Sequence, residues 1–353
     1  MCGSKMGKSP SFHLIQTKER KRKMTKIAVI GTGTMGTAIA HHLGKAGNEV
    51  VMWSFDQGVP EGIASNHKNP TYLTDIELPN VSAFYDFDKV VPGAECIVVV
   101  CPSPFMRSTV KQFAEFVEED TPIIVLSKGV EANTGFTMAE VITDVVGNSS
   151  RVAVLTGPNH AEEIARDMYG CTVVAAEDEK IATYFQDVFM TPTLRVYTST
   201  DVMGVELCSS AKNILAIANG MLCKLEMGDN ASAALMTRGV AEIARLVTAL
   251  GGDWRTCMGL TGMGDIIVTC TSVHSRNRTL GEMLVEGKTL ADFEEKTKMV
   301  AEGAIACKTV TELARKKGID MPICEAVYSI MYEDAKTDDV IKKLFDRPSK
   351  AEF

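Results

Sequence analysis

The ten cysteines of this 353-residue chain form no Cys-x-x-Cys pair, and its six histidines show neither His-x-x-x-His nor His-Glu-x-x-His spacing. Zinc and other transition metals therefore have no sequence signature here. Several cysteines, among them Cys96, Cys101, Cys208 and Cys223, sit inside apolar stretches. That placement suits reduced thiols buried in a cytoplasmic protein better than a disulfide framework. No apolar run is long enough to span a bilayer. An excess of basic charge is missing as well. The net formal charge is −8, which argues against a general affinity for nucleic acid, whose phosphates are bound by basic surfaces. There is no internal repeat and no low-complexity segment. Residues 1–23 carry Lys18, Arg20, Lys21, Arg22 and Lys23 without a long apolar stretch ahead of a cleavage site, so they do not read as a secretory signal. They are expected to be a disordered basic tail, an expression remnant or translation from a start upstream of Met24.

What the chain does have is a glycine-rich turn, Gly31-Thr32-Gly33-Thr34-Met35-Gly36, between the apolar run Lys26–Ile30 and the small-residue stretch Thr37-Ala38-Ile39-Ala40. The flanks give the motif its meaning. A buried strand precedes it, a helix follows, and a second strand begins about 20 residues on. The first glycine makes the tight turn, the second admits a pyrophosphate close to the backbone, and the third lets helix and strand pack closely. The helix N-terminus then offers free N–H groups to the phosphates.

Apolar strand-like runs alternate with helical stretches through the first half: Lys26–Ile30, Glu49–Trp53, Cys96–Cys101, Pro122–Ser127 and Val152–Leu155, with Cys171–Ala175 and Leu194–Tyr197 as further strands. Near-continuous apolar strands separated by helices mean a parallel sheet covered on both faces. The segment Gly58–Asn80, rich in Pro, Asn and Gly, reads as a long loop. After about Thr200 the chain turns helical, with Val205–Leu225, Ala231–Leu250 and Ala304–Lys317 showing helical apolar spacing and Gly251-Gly252 and Gly318 as stops. The expected organisation is a dinucleotide-binding α/β domain over 24–204, an all-α substrate domain over 205–345 and a flexible tail over 346–353.

Ligands in such sheets bind beyond the carboxyl ends of the strands. Ser127-Lys128-Gly129 and Thr156-Gly157-Pro158-Asn159-His160 fall there. Lys128 could attract a phosphate or a polarised carbonyl, or could be a solvated loop lysine. Lys212 lies in a helix with small or apolar residues on nearly every face, from Leu207 to Gly220. Such a helix is buried, and a buried ammonium is costly unless it is paired or has work to do. Desolvation also lowers a lysine pKa, which suits it to acid–base chemistry near neutrality. Asp265, in Gly262-Met263-Gly264-Asp265, suggests a carboxylate held at a tight turn. Ser275-Arg276-Asn277 is a compact set of donors for a phosphate, since a guanidinium forks onto two oxygens.

In order and spacing, these segments resemble the bacterial-type NAD(P)-dependent glycerol-3-phosphate dehydrogenases from about Thr25 to about Lys343. The resemblance is carried by the glycine turn, Ser127-Lys128-Gly129, Thr156-Gly157-Pro158, Gly204-Val205-Glu206-Leu207, Ala211-Lys212-Asn213, Thr237-Arg238-Gly239, Gly262-Met263-Gly264-Asp265 and Ser275-Arg276-Asn277-Arg278. It implies a Rossmann-type doubly wound domain followed by an all-α domain like that of 6-phosphogluconate dehydrogenase. It also implies reduction of dihydroxyacetone phosphate to sn-glycerol 3-phosphate for phospholipid synthesis, in the cytoplasm, by a chain with a small-molecule substrate that could form a homodimer. Carried over by position, Lys212 resembles the proton donor, Asp265 the carboxylate that orients it, and Lys128 a second cation touching substrate and cofactor. Gly157, Asn159, Ser275, Arg276 and Asn277 resemble further substrate ligands. Gly31, Gly33, Thr34, Met35, Gly36, Phe55, Ala161, Arg276, Val300 and Glu302 resemble cofactor ligands.

The chain departs from the family pattern in two places: Asn159-His160 stands where many relatives have Thr-Phe, and Ser54-Phe55 where an Arg or His is often found. Ser54 is neither the acid that binds a ribose 2′-hydroxyl nor a partner for a 2′-phosphate, and the expectation is use of both NAD and NADP with some preference for NADP(H). Two rival readings remain at this point, a hydroxyacid or 6-phosphogluconate type dehydrogenase and a non-catalytic nucleotide sensor.

Overall fold

The computed structural model describes residues 24–273, 275–297, 301–349 and 351–352. The basic tail at 1–23 and Val300 lie outside the described residues. Eight strands form one sheet: β1 (Lys26–Ile30), β2 (Glu49–Trp53), β3 (Val81–Phe84), β4 (Cys96–Val99), β5 (Ile123–Val125), β6 (Val152–Thr156), β7 (Gly170–Ala176) and β8 (Leu194–Ser199). Their order is β3-β2-β1-β4-β5-β6-β7-β8, and every neighbouring pair is parallel except β6 with β7. Side chains alternate across the sheet. Ile27 and Val29 join one apolar cluster while Ala28 and Ile30 join another on the opposite face, so β1 is buried on both sides.

The chain leaves β1 toward β2 on one side and returns to β4 on the other. That reversal opens a crevice at the carboxyl end of β1, where the glycine turn sits.

The sheet differs from the sequence expectation in two places, the antiparallel β6–β7 pair in a sheet expected to be parallel and the region before β3. The expected loop Gly58–Asn80 contains a helix, Val59–Asn66, and β3 follows it. Pro60 lies in the helix's first turn, where its missing N–H has no intrahelical partner to lose. Read by composition, it counted as a loop former. β3 is a four-residue edge strand whose sequence, Val-Ser-Ala-Phe, is too short to show a period.

After β8 the chain is helical. The helix Val202–Lys224 forms the axis of this part, with every residue from Gly204 to Met221 buried. Glycines let its neighbour come unusually close. A Cβ added at Gly220 would lie 2.0 Å from the Arg278 carbonyl oxygen, and one at Gly281 would lie 2.0 Å from that of Ile217. The helix Arg276–Val285 therefore meets it backbone to backbone, which fixes where Ser275, Arg276 and Asn277 begin that helix.

Two buried carboxylates join helices in this region. Glu206 accepts from the Ala139 N–H at 3.0 Å, at the start of the helix Met138–Val146. Glu242 accepts from the Ile323 N–H at 2.8 Å, at the start of the helix Pro322–Tyr332. Helix N-termini carry orphan N–H groups and partial positive charge, so each acid completes a neighbour's first turn. Burial nevertheless pushes both pKa values from 4.5 up to about 7. A carboxyl whose folded-state pKa is raised retains a proton that the unfolded chain gives up, so stability falls as pH rises between the two values. The stabilisation is complete below about 4.5 and lost by the time the pH has passed about 7. Chemical denaturation of the chain should show a midpoint that declines across that window, and Glu206→Gln should flatten the decline. A midpoint independent of pH there would show that neither acid holds its proton.

Among the described residues no helix is long and apolar enough to cross a membrane, and no group of three or more His, Cys, Asp or Glu side chains could hold a metal ion.

Candidate active site

The glycine turn has the shape a dinucleotide needs. Gly31 has φ +123°, and a Cβ there would lie 2.9 Å from the Val100 carbonyl oxygen. A Cβ at Gly36 would lie 2.1 Å from the Gly31 carbonyl oxygen, so the helix Thr34–Lys45 can start this close to the turn only with glycine at that position. Gly33 is different, because a Cβ there would meet nothing within 4 Å. It faces open space, it has no side chain to cap the helix, and no acid lies in the helix's first turn. The free N–H groups of Thr34, Met35 and Gly36 thus face a cleft suited to a pyrophosphate. Ala161 packs against this helix in a small cluster with Ala38 and Met35. Phe55, just past β2, is 81% exposed.

The neighbouring strand ends form a continuous ledge from that turn. The Ser127 hydroxyl, after β5, donates to the Cys101 carbonyl after β4. Gly129 has φ +149°, and a Cβ there would lie 2.8 Å from the Ser103 side chain. Lys128 is held between these two contacts.

Lys128 and Lys212 converge on one carboxylate. Lys128 Nζ donates to Asp265 Oδ2 at 3.0 Å. Lys212 Nζ donates to Asp265 Oδ1 and, at 2.7 Å, to Thr269 Oγ1. Lys212 is 5% exposed and Asp265 1%. Asp265 opens the helix Asp265–Thr271 directly after a wide π turn, Leu260–Gly264. In that turn a Cβ at Gly262 would lie 2.1 Å from the Cys257 carbonyl oxygen. Gly262 therefore does steric work, and the turn leaves Asp265 buried. Thr269 lies one helical turn after Asp265, on the same face, and its hydroxyl donates to the Asp265 carbonyl at 2.6 Å. Sequence reasoning passed over Thr269 as a site residue, although its i+4 spacing from Asp265 was a usable signal.

The charges tune one another. Burial pulls the Lys212 pKa down from 10.5 to about 7, with the Asp265 carboxylate opposing and the Lys128 charge assisting. Burial works against Lys128 too, but Asp265 outweighs it and the ammonium is held above its ordinary pKa. Burial opposes ionisation of Asp265, and the two ammonium groups overcome it, so the carboxyl is held below the usual range. The resulting trio is a fixed anion, a fixed cation and a lysine able to gain or lose a proton near neutrality.

The remaining candidate residues have partners of their own. Gly157, with φ +150°, brings its chain against Thr172. Asn159 Nδ2 donates to Thr172 Oγ1 at 2.8 Å, while Asn159 Oδ1 is buried without a partner. His160 lies close enough for Lys212 and Asp265 to act on its charge, and burial pushes its pKa down. Ser275 caps the helix Arg276–Val285 by accepting from the Arg278 N–H at 3.3 Å. Asn277 Oδ1 accepts from the Gly303 N–H at 3.1 Å, which ties that helix to the start of Glu302–Lys317. The Glu302 charge is felt at Lys128.

A dinucleotide cleft at a sheet's switch point, with a buried Lys–Asp pair supplied by a following helical part, defines a two-part NAD(P)-dependent dehydrogenase. Sequence profiles place the chain further. Residues 26–182 match the NAD-dependent glycerol-3-phosphate dehydrogenase N-terminus and residues 201–342 the C-terminus. It is 43% identical to a glycerol-3-phosphate dehydrogenase [NAD(P)+] of Corynebacterium urealyticum over 93% of this chain and 100% of that one. The Clostridium perfringens protein of the same name is 41% identical over 93% of this chain and 99% of its own. A crystal structure of glycerol-3-phosphate dehydrogenase from Coxiella burnetii superposes with a TM-score of 0.87 at 32% identity, covering 92% of this chain and 99% of that one. The chain belongs to the NAD-dependent glycerol-3-phosphate dehydrogenase family.

Proposed function

We propose that this protein reduces dihydroxyacetone phosphate to sn-glycerol 3-phosphate with NAD(P)H, and that Lys212 is its proton donor. The observation that carries the reading is the buried Lys212–Asp265–Lys128 cluster beside the glycine turn. Bound nicotinamide supplies the hydride. The protein's own part is to bind, orient and protonate. Lys212, with its pKa near 7, gives its proton to the oxygen of the keto group and takes one back in the reverse direction. Asp265 fixes the Lys212 ammonium and holds Lys128 beside it. Lys128 and Arg276 attract the substrate's anionic end, and Ser275 and Asn277 shape the helix start that receives it. Asn159 Oδ1, an unpaired buried acceptor, suits a substrate hydroxyl delivered past Gly157.

On the cofactor side, Gly31, Gly33, Thr34, Met35 and Gly36 bind the pyrophosphate, Phe55 and Ala161 line the cleft, and Arg276 and Glu302 approach from the helical part. In this reading residues 24–204 form the cofactor domain and 205–345 the substrate domain. The product feeds glycerophospholipid synthesis in the cytoplasm, a setting that suits nine described cysteines all present as free thiols.

A steady-state assay tests the activity directly. Reduced cofactor should be oxidised on addition of dihydroxyacetone phosphate and not on addition of 2-oxo acids lacking a phosphate. Equal turnover with a non-phosphorylated oxo acid would move the protein to the hydroxyacid dehydrogenases.

A further inference from the structure

The end of the cofactor cleft beyond β2 contains groups for only one of the two nicotinamide cofactors. A dinucleotide seated on the glycine turn lays its adenosine ribose over the carboxyl end of the second strand. There the Ser54 N–H donates to the Phe84 carbonyl at 2.9 Å. Ser54 is 1% exposed, and its hydroxyl donates to the Asp56 carbonyl at 3.0 Å and accepts from Thr32 Oγ1 at 2.8 Å. It is fully engaged and offers nothing to a phosphate. Next comes Phe55, an exposed aromatic face, then Asp56, whose charge is felt at the Tyr72 phenol.

The helix that follows begins at Val59, and its positive end is already answered. The Gly58 N–H donates to the Tyr85 hydroxyl at 2.8 Å, which donates to Glu61 Oε2 at 2.7 Å, and Glu61 lies in the helix's first turn. From Ala46 to His67 the chain has no lysine or arginine, but it has the acids Glu49, Asp56 and Glu61.

We propose that this protein selects NAD(H) over NADP(H), with Phe55 and Asp56 as the discriminating residues. A ribose 2′-hydroxyl is a donor that the Asp56 carboxylate can accept, and the exposed Phe55 ring offers the adenosine an apolar face to pack against. A 2′-phosphate at the same place would carry about two negative charges to a surface whose fixed charge is negative, with no guanidinium to fork onto it. Like charges brought together in a cleft cost enough to change affinity by roughly tenfold or more. This reverses the lean toward NADP(H) drawn from the sequence. The absence of an acid at position 54 suggested it, but Ser54 is closed off, so Phe55 and Asp56 set the surface. One cation stands as a rival reader of a phosphate. Lys68 is exposed and precedes Asn69, whose amide donates to the Thr32 carbonyl at 2.9 Å beside the glycine turn.

The inference rests on the dehydrogenase reading above, and calorimetric titration separates the two. NADH and NADPH are titrated in turn into the full chain without substrate. NADH should bind at least about tenfold more tightly. Phe55→Arg, a change at an exposed position, should reduce that ratio at least tenfold by strengthening NADPH. If neither nucleotide binds, the dehydrogenase reading itself fails. If NADPH binds as tightly as NADH or more so, the selectivity is overturned while the dehydrogenase reading stands, and loss of that NADPH affinity in Lys68→Ala would name Lys68 as the reader. A ratio unmoved by Phe55→Arg would also overturn the assignment to this surface.

Discussion

Lys212→Met should reduce dihydroxyacetone phosphate about 10² to 10⁴ times more slowly than the unaltered chain, the range set by loss of a general acid, while its affinity for reduced cofactor stays the same. Met matches the length of the lysine stem and removes a charge that is 5% exposed, so the packing of the Val202–Lys224 helix is kept. Asp265 retains Lys128 as a counter-charge at 3.0 Å, so the carboxylate is not stranded. The fold should therefore survive and the loss should fall on kcat. Lys212→Arg sharpens the test. It keeps a positive charge at the site, but a guanidinium does not lose its proton in proteins. If Lys212 served only to hold an anion, Arg would restore much of the activity. If it transfers a proton, Arg stays as slow as Met.

The pH dependence has a definite sign. Reduction needs the protonated amine, so its rate should fall as pH rises through about 7, and oxidation of glycerol 3-phosphate should rise over the same range. Near-normal turnover in the Met variant would remove the proton-donor role.

The parts of this site that sequence revealed are those in which one local rule decides the structure. Gly36 is dictated by the Gly31 carbonyl oxygen five residues away and Gly31 by its own positive φ, and the strand and helix on either side carry their own periods. Lys212 was conspicuous because an ammonium in a helix of Ala, Ile and Cys breaks the pattern around it. What stayed hidden depends on residues far apart in the chain. Lys128 and Asp265 are 137 residues apart, and nothing in either segment says that one carboxylate serves both lysines. A solvated loop lysine was an equally good reading of Lys128 until the ledge formed by Ser127, Cys101 and Gly129 fixed it. Ser54 shows the same limit from the other side. Its position suggested an open binding surface, and only the partners Thr32 and Asp56 reveal that it faces inward. Short elements were missed for a simpler reason. β3 and the helix Val59–Asn66 hold too few residues for periodicity to outweigh composition.

Asp265→Asn should be the more disruptive substitution, because the carboxylate is what allows two ammonium groups to share one buried space. Its two oxygens accept from Lys212 and Lys128 separately. An amide of the same shape can accept from one of them but must turn an N–H₂ toward the other, donor against donor. The attraction that raises both lysine pKa values is lost with the charge, while burial and mutual repulsion, which lower Lys212, remain. Lys212 should then be largely neutral at pH 7, so reduction should lose at least about 10²-fold and its pH profile should move to lower pH.

Stability should fall as well. Breaking a buried ion pair by removing one partner costs about 3–5 kcal/mol. The sign of its pH dependence follows from the lysines. A lysine whose folded-state pKa is depressed binds fewer protons folded than unfolded, so stability rises as pH climbs from the folded value toward 10.5. The variant's deficit should therefore be largest near neutrality and shrink at pH 9 to 10, as Lys128, no longer held charged by a carboxylate, loses its proton in the variant but keeps it in the unaltered chain. Urea denaturation of the two proteins at pH 7 and pH 9.5 measures this. A deficit that stays constant or grows with pH would mean that Asp265 acts on the fold through something other than the two ammonium groups it holds.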